Sequence, residues 1–309
     1  MKDTRVMLVM LAAPAFAACD THRLDATVAL APVVDATVPI DATVPIDAGV
    51  TDDADGATEA ADATDSGVQS SLAVGLLAHY RFDEDGGSFI NDSSGQKRYG
   101  TLNALDGSTW LFDGGKFGGA LHFNWGDYII VDNFPDAPPS FSVSMWLRTA
   151  SGPPFGMALA PGVSLQFAYG SFLSTEVLRD GGWQVNLEPW DGGTATHFAY
   201  WHGVDGGYEL DRCACVIPNQ WLHIVSIVDG NAHTLSLYVN GVLRETKGGV
   251  PPILPGTNAL YMGTWSGALQ PPGYDKRFII GDIDDVAIYG RALTFDEVHE
   301  LESNPPPDP

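Results

Sequence analysis

The sequence predicts an all-β antiparallel sandwich closed by one short C-terminal helix, and three observations carry that expectation. First, the stretch Trp221 to Glu245, WLHIVSIVDGNAHTLSLYVNGVLRE, has strand periodicity, with Trp221, His223, Val225 and Ile227 alternating against Leu222, Ile224, Ser226 and Val228. Asp229-Gly230-Asn231 supplies residues that tolerate positive φ, and His233, Leu235, Leu237 and Val239 alternate with Thr234, Ser236, Tyr238 and Asn240 on the return. The first arm is apolar on both faces and the second keeps a polar face, as a strand pair lying on a core does. Second, 35 Gly and 21 Pro in 309 residues, 45% of them hydrophobic, describe a turn-rich globular chain. Third, a complete helix start stands at Leu293-Thr294-Phe295-Asp296-Glu297-Val298, with Thr294 to cap, Glu297 to reach back and Leu293 to staple onto Val298. That helix should run to about Glu302 and stop before Pro305-Pro306-Pro307.

Other strands are expected over Gly75–Phe82, Ala120–Asn124, Tyr128–Val131 and Phe141–Thr149. The pattern W-x-H-x-V, then D-G, then L-x-L-Y-V-N-G-V-L resembles the laminin-G-like, concanavalin A-like jelly roll of many bacterial surface proteins. GLLAHYRFDEDGG, NDSSGQKRYGTL, FGGALHFN with DYIIV, FSVSMWLRT and GDIDDVAIYGRALTFDEV resemble that family in its own order, from about Leu76 to Leu301. The resemblance implies one jelly-roll domain over residues 72–302, ending in the short helix and followed by a proline-rich tail at 303–309.

The N-terminus reads as a secretion signal over residues 1–18. Lys2 and Arg5 precede an apolar run far shorter than the roughly 20 residues that cross a bilayer. Phe16-Ala17-Ala18-Cys19 resembles a bacterial lipobox, which makes Cys19 the expected lipidated residue of a membrane-anchored protein; cleavage that leaves a plain thiol is the alternative. Outer membrane or cell surface is the expected location, although Asp20 resembles an inner-membrane retention signal and leaves the choice of membrane open. Residues 19–71 read as an acidic Asp/Ala/Thr/Pro tether with two DATVPI copies, self-repelling and reaching on the order of 100 Å. A net charge of −24 with only 15 Lys and Arg and no basic run argues against a nucleic-acid partner.

The resemblance also implies a structural calcium, with the Asn91-Asp92-Ser93-Ser94-Gly95 turn supplying one half of its site and Asp284 the other. Calcium takes six to eight oxygens, and turns expose carbonyls. The family's usual G-N-G after this turn is here Gln96-Lys97-Arg98. Strict alternation puts Asp284 on the face of Val286 and Ile288, where a carboxylate requires a partner: a metal, a ring of backbone N–H groups, or Arg291.

A glycan-stacking cluster is expected at Trp190, Trp201 and Trp265, since exposed rings flanked by Asp or Asn suit a sugar's apolar face; the same rings also suit a sandwich interior. Cys213 and Cys215 sit at about 6.6 Å if on a strand, the upper edge of disulfide geometry, and are read as a local disulfide staple. The alternative is redox or metal chemistry with His197 or His202.

Jelly rolls host binding modules and polysaccharide-cleaving enzymes alike. The chain carries no Glu-x-Asp-x-Glu run, no Gly-x-Ser-x-Gly elbow and no His-Glu-x-x-His helix, and Asp83-Glu84-Asp85 sits in a glycine-flanked loop. The expected function is therefore non-catalytic binding, of carbohydrate or of a surface protein in a calcium-dependent manner. An atypical hydrolase or lyase, with acids or His197, His202 and Tyr208 converging, stands behind both.

Overall fold

The computed structural model describes residues 71–104, 109–149, 170–175, 181–190, 193–201, 207–209, 217–266 and 278–307, with backbone alone at 109, at 170 and from 187 to 209. In chain order the strands are β1 (Leu76–Tyr80), β2 (Phe89–Ile90), β3 (Gly100–Asn103), β4 (Thr109–Leu111), β5 (Ala120–Phe123), β6 (Tyr128–Asp132), β7 (Phe141–Thr149) and β8 (Gly170–Ser174). They continue as β9 (Trp183–Trp190), β10 (Gly193–Trp201), β11 (Gly207–Glu209), β12 (Leu222–Asp229), β13 (Thr234–Val239), β14 (Val242–Gly248), β15 (Ala259–Met262) and β16 (Gly281–Tyr289), with α1 (Phe295–Glu300) last.

One sheet runs β14-β13-β12-β7-β16-β5-β4, and the other β11-β10-β9-β8-β15-β6-β3-β2. Strand β16 carries β7 along one edge, while β5 and β1 share the other, β5 on Gly281–Ile283 and β1 on Val286–Tyr289. All of these pairings are antiparallel, so the architecture is the jelly-roll sandwich that the sequence predicts.

Between the sheets, Val143, Met145 and Leu147 of β7 and Ile224 of β12 meet Ile129, Val131, Phe172 and Trp183. Each fully buried side chain of this kind stabilises by about 1.5–3 kcal/mol. The other face of β12 is buried too, because Val225 and Ile227 pack with Leu72 and with Val298 and Leu301 at the C-terminal helix. That is the physical reason for a first hairpin arm apolar on both sides. The return strand β13 alternates half-buried and buried residues, as expected. The turn differs in detail: positive φ falls on His233, while Asp229 Oδ1 accepts from the Asn231 and Ala232 N–H groups.

Helix α1 starts with the full capping box, Thr294 accepting from the Glu297 N–H and Glu297 from the Thr294 N–H. It ends at Glu300 with Leu301 as C-cap, two residues earlier than expected. Arg291 holds both Glu297 oxygens at 2.7 Å and also donates to the carbonyls of Val74 and Ser71. Among the described residues no helix is long and apolar enough to cross a membrane.

Candidate functional site

The seam between β1 and β5 on β16 positions a surface hollow among the described residues. Strand β1 stops at Tyr80, and Phe82 adopts φ 55, which returns its ring to the core while Asp83 and Glu84 go to the surface. A non-glycine residue in that region carries strain of order 1 kcal/mol or more, a feature that concentrates at ligand sites. The loop entering β5 lies directly against this turn: the Gly119 N–H donates to Asp83 Oδ1 at 2.7 Å. Glycine is required there, because a Cβ at Gly119 would come within 2.5 Å of the Phe82 carbonyl.

A hollow of about 260 Å³ results, lined by Arg81, Asp83, Glu84, Asn91 and Ser93. A second, of about 100 Å³, shares Asp83 and Glu84 and adds Asp85, Trp110 and Phe112. Arg81 pairs with Asp83 at 3.2 Å. Glu84 Oε1 accepts the Asn91 N–H at 2.6 Å, whereas Glu84 Oε2 is buried without a hydrogen-bond partner. Desolvation raises the Glu84 pKa above the ordinary carboxylate range. At the second hollow Phe112 is 62% exposed; on the same domain Phe89 and Tyr99, 56% and 44% exposed, touch at a centroid distance of 5.0 Å. This is a surface of carboxylates, an amide, a hydroxyl, a guanidinium and aromatic rings. It can hydrogen-bond hydroxyl groups and stack an apolar ring face.

Asp92 lies beside β1, and Asp284 is on β16, before the stretch that pairs with β1. Asp92 Oδ1 accepts from the N–H groups of His79 and Ser94, and Oδ2 from that of Arg98, at 2.8–3.0 Å. The His79 carbonyl accepts from Ser93, so the 92–94 turn lies on the β1 edge that faces away from β16. Asp284 does not share a face with Val286 and Ile288. A bulge at Asp285, φ 47, shifts the register and turns Asp284 outward, opposite Trp146. There Asp284 Oδ2 accepts from the Lys116 and Phe117 N–H groups at 2.6 and 2.9 Å. Of the three partners considered for this carboxylate, backbone N–H groups are the ones in place.

Burial moves the Asp284 pKa up to about 8. Trp146 stacks on His223 at 4.7 Å beneath Lys116 Nζ, and burial followed by the Lys116 charge lowers the His223 pKa to about 3. Among the described residues no three His, Cys, Asp or Glu side chains gather as metal ligands would. Asp284 Oδ1 is buried without a hydrogen-bond partner, but three backbone N–H groups are seated on Asp92 and two on Asp284 Oδ2, which does not fit a calcium shared by the two carboxylates.

The other expected residues scatter. Trp265 is 4% exposed and packs with Phe278, against which Trp125 lies edge-on at 5.4 Å, so it presents no platform. Trp190 pairs with Gly193 at one end of the β9–β10 hairpin and Trp201 with Gly207 at the far end. Eight residues of strand separate those ends, about 26 Å, which does not bring the two together; their side chains, with those of His197 and Tyr208, lie outside the description. Cys19, His202, Cys213 and Cys215 lie outside the described residues. The cleft itself was missed although Asp83-Glu84-Asp85-Gly86-Gly87 is visible in the sequence; the run of acids against glycines after a first strand is its signal.

The chain is similar to several solved structures. Domain 4 of AbnA, a GH43 extracellular arabinanase from Geobacillus stearothermophilus, in complex with arabinotriose, is 26% identical over 74% of this chain and 98% of that one, with a TM-score of 0.52. Two structures of the botulinum neurotoxin DC binding domain, one in complex with SialylT and one with rat synaptotagmin II, are each 14% identical over 75% of this chain and 52% of theirs, with TM-scores of 0.52. The chain thus spans about half the length of those toxin domains, and at that identity the likeness is one of fold. No curated protein matches the chain. Residues 123–299, more than half of the sequence, match the laminin-G family described as the concanavalin A-like lectin/glucanases superfamily, and the chain belongs to that family.

Proposed function

We propose that this is a non-catalytic carbohydrate-binding protein of the bacterial cell envelope, lipid-anchored at Cys19, whose jelly-roll domain takes its ligand in the cleft around Glu84. The observation that carries the reading is the pair of adjoining hollows sharing Asp83 and Glu84, with Asn91 and Ser93 on one side and Trp110 and Phe112 on the other. Sugar recognition combines stacking with hydrogen bonds to rim hydroxyls, and this lining holds both kinds of group. The likeness to an arabinanase domain bound to arabinotriose supports it. A protein ligand is the second reading, favoured by the exposed Phe89–Tyr99 pair.

Titration calorimetry with arabino-oligosaccharides tests the proposal. Glu84→Gln and Phe112→Ala should each weaken binding about tenfold, equivalent to about 1.4 kcal/mol, with the circular dichroism spectrum unchanged. Binding untouched by both substitutions would remove the cleft from the mechanism. Binding lost only in Phe89→Ala would move the ligand to that aromatic pair.

A further inference from the structure

Three oxygen-bearing groups of the kind a hard cation collects lie along the edge of β1 that faces away from β16: the Leu77 carbonyl, the Asp92 carboxylate and the Ser94 hydroxyl. All three are engaged by donors from the 92–98 turn or from β1 itself. Asp92 takes the His79, Ser94 and Arg98 N–H groups. Ser94 Oγ accepts from the Gln96 N–H at 3.3 Å. The Leu77 carbonyl accepts from the Ser94 hydroxyl at 3.4 Å and from Arg98 Nη1. The Arg98 carbonyl in turn accepts from the Tyr80 hydroxyl at 2.8 Å, so Arg98 is bonded to β1 and its turn through backbone N–H, backbone carbonyl and side chain.

We infer that Arg98 replaces a divalent ion in this domain, its guanidinium fastening the 91–99 loop to β1 and making the fold independent of calcium. A bound calcium draws six to eight oxygens to 2.3–2.6 Å; here N–H groups fill both lone pairs of Asp92 Oδ1 and one of Oδ2, which leaves little for such a shell. A guanidinium supplies a permanent charge and directional donors instead. The loop so fastened supplies Asn91 and Ser93 to the cleft, so its fastening also sets one wall of the hollow.

The test is thermal unfolding of the full chain in calcium and in chelator, for wild type, Arg98→Ala and Arg98→Lys. The wild-type midpoint should be the same in both media. Arg98→Ala should lower it by roughly 4–8 °C in both, the scale of a lost charged hydrogen bond in a domain of this size. Arg98→Lys keeps the charge without the planar fork, should fall in between, and carries the test if the alanine variant does not fold. A wild-type midpoint that drops on chelation overturns the inference, as does an arginine substitution that leaves the midpoint unchanged.

Discussion

At Asp92 both carboxylate oxygens are taken, by three backbone N–H groups, and the side chain is 5% exposed; at Glu84, in the turn that follows the same strand, one oxygen accepts one N–H and the other has no partner. The two acids lie eight residues apart in the sequence and bound the same surface. A carboxylate whose lone pairs are filled by backbone is part of the scaffold, since moving it would orphan several donors at once. At Glu84 one buried oxygen carries no such duty, and the residue lines a hollow. Satisfaction, rather than the presence of an acid, separates the two roles.

Asp92→Ala should therefore have the largest effect on stability, about 3–5 kcal/mol, because it strands the His79, Ser94 and Arg98 N–H groups together. Chemical denaturation measures it, and a loss below about 1 kcal/mol would break the contrast.

The pH profile of stability comes next. Asp284, with a folded pKa raised to about 8 by burial, contributes stability that is complete below the ordinary carboxylate pKa and drains away as pH rises from about 4 to about 8. His223, lowered to about 3, contributes in the opposite sense: its share is complete above the ordinary imidazole pKa and is lost as pH falls from about 6.5 to about 3. The two slopes oppose one another from about 4 to 6.5. Above that range the Asp284 slope is joined by that of His122, whose pKa the Asp282 hydrogen bond raises, so stability should decline between about pH 6.5 and 8. Asp284→Asn should flatten that limb in urea titrations across the range; an unchanged limb would assign it to another group.

Glu84→Gln should have the smallest effect, within about 0.5 kcal/mol of wild type, since the amide oxygen can still accept from Asn91. A large loss would mean that Glu84, like Asp92, is scaffold.

The parts of the fold that were legible in the sequence are those fixed by near neighbours. The hairpin at 221–245 declares itself because alternation on both faces of β12 leaves little other choice, and the Thr294–Glu297 capping box is complete within four residues. The bulge at Asp285 was not legible: nothing local marks a second aspartate for positive φ, yet that single residue moves Asp284 to the other face of the sheet. The burial of Trp265 depends on Phe278 and Trp125, one of them far back in the chain. The cleft depends on 81–93 and 110–119 being carried to one place by the last strand, β16, which neither segment announces.

Where the chain enters the domain, Leu72 is fully buried against the C-terminal helix region and Arg291 holds the carbonyls of Ser71 and Val74 while its fork is locked by Glu297. Mechanically this is a strain relief. A pull on the chain at Ser71 would meet Leu72 and the arginine before it reached Gly75 and β1, the strand that leads into the Glu84 cleft.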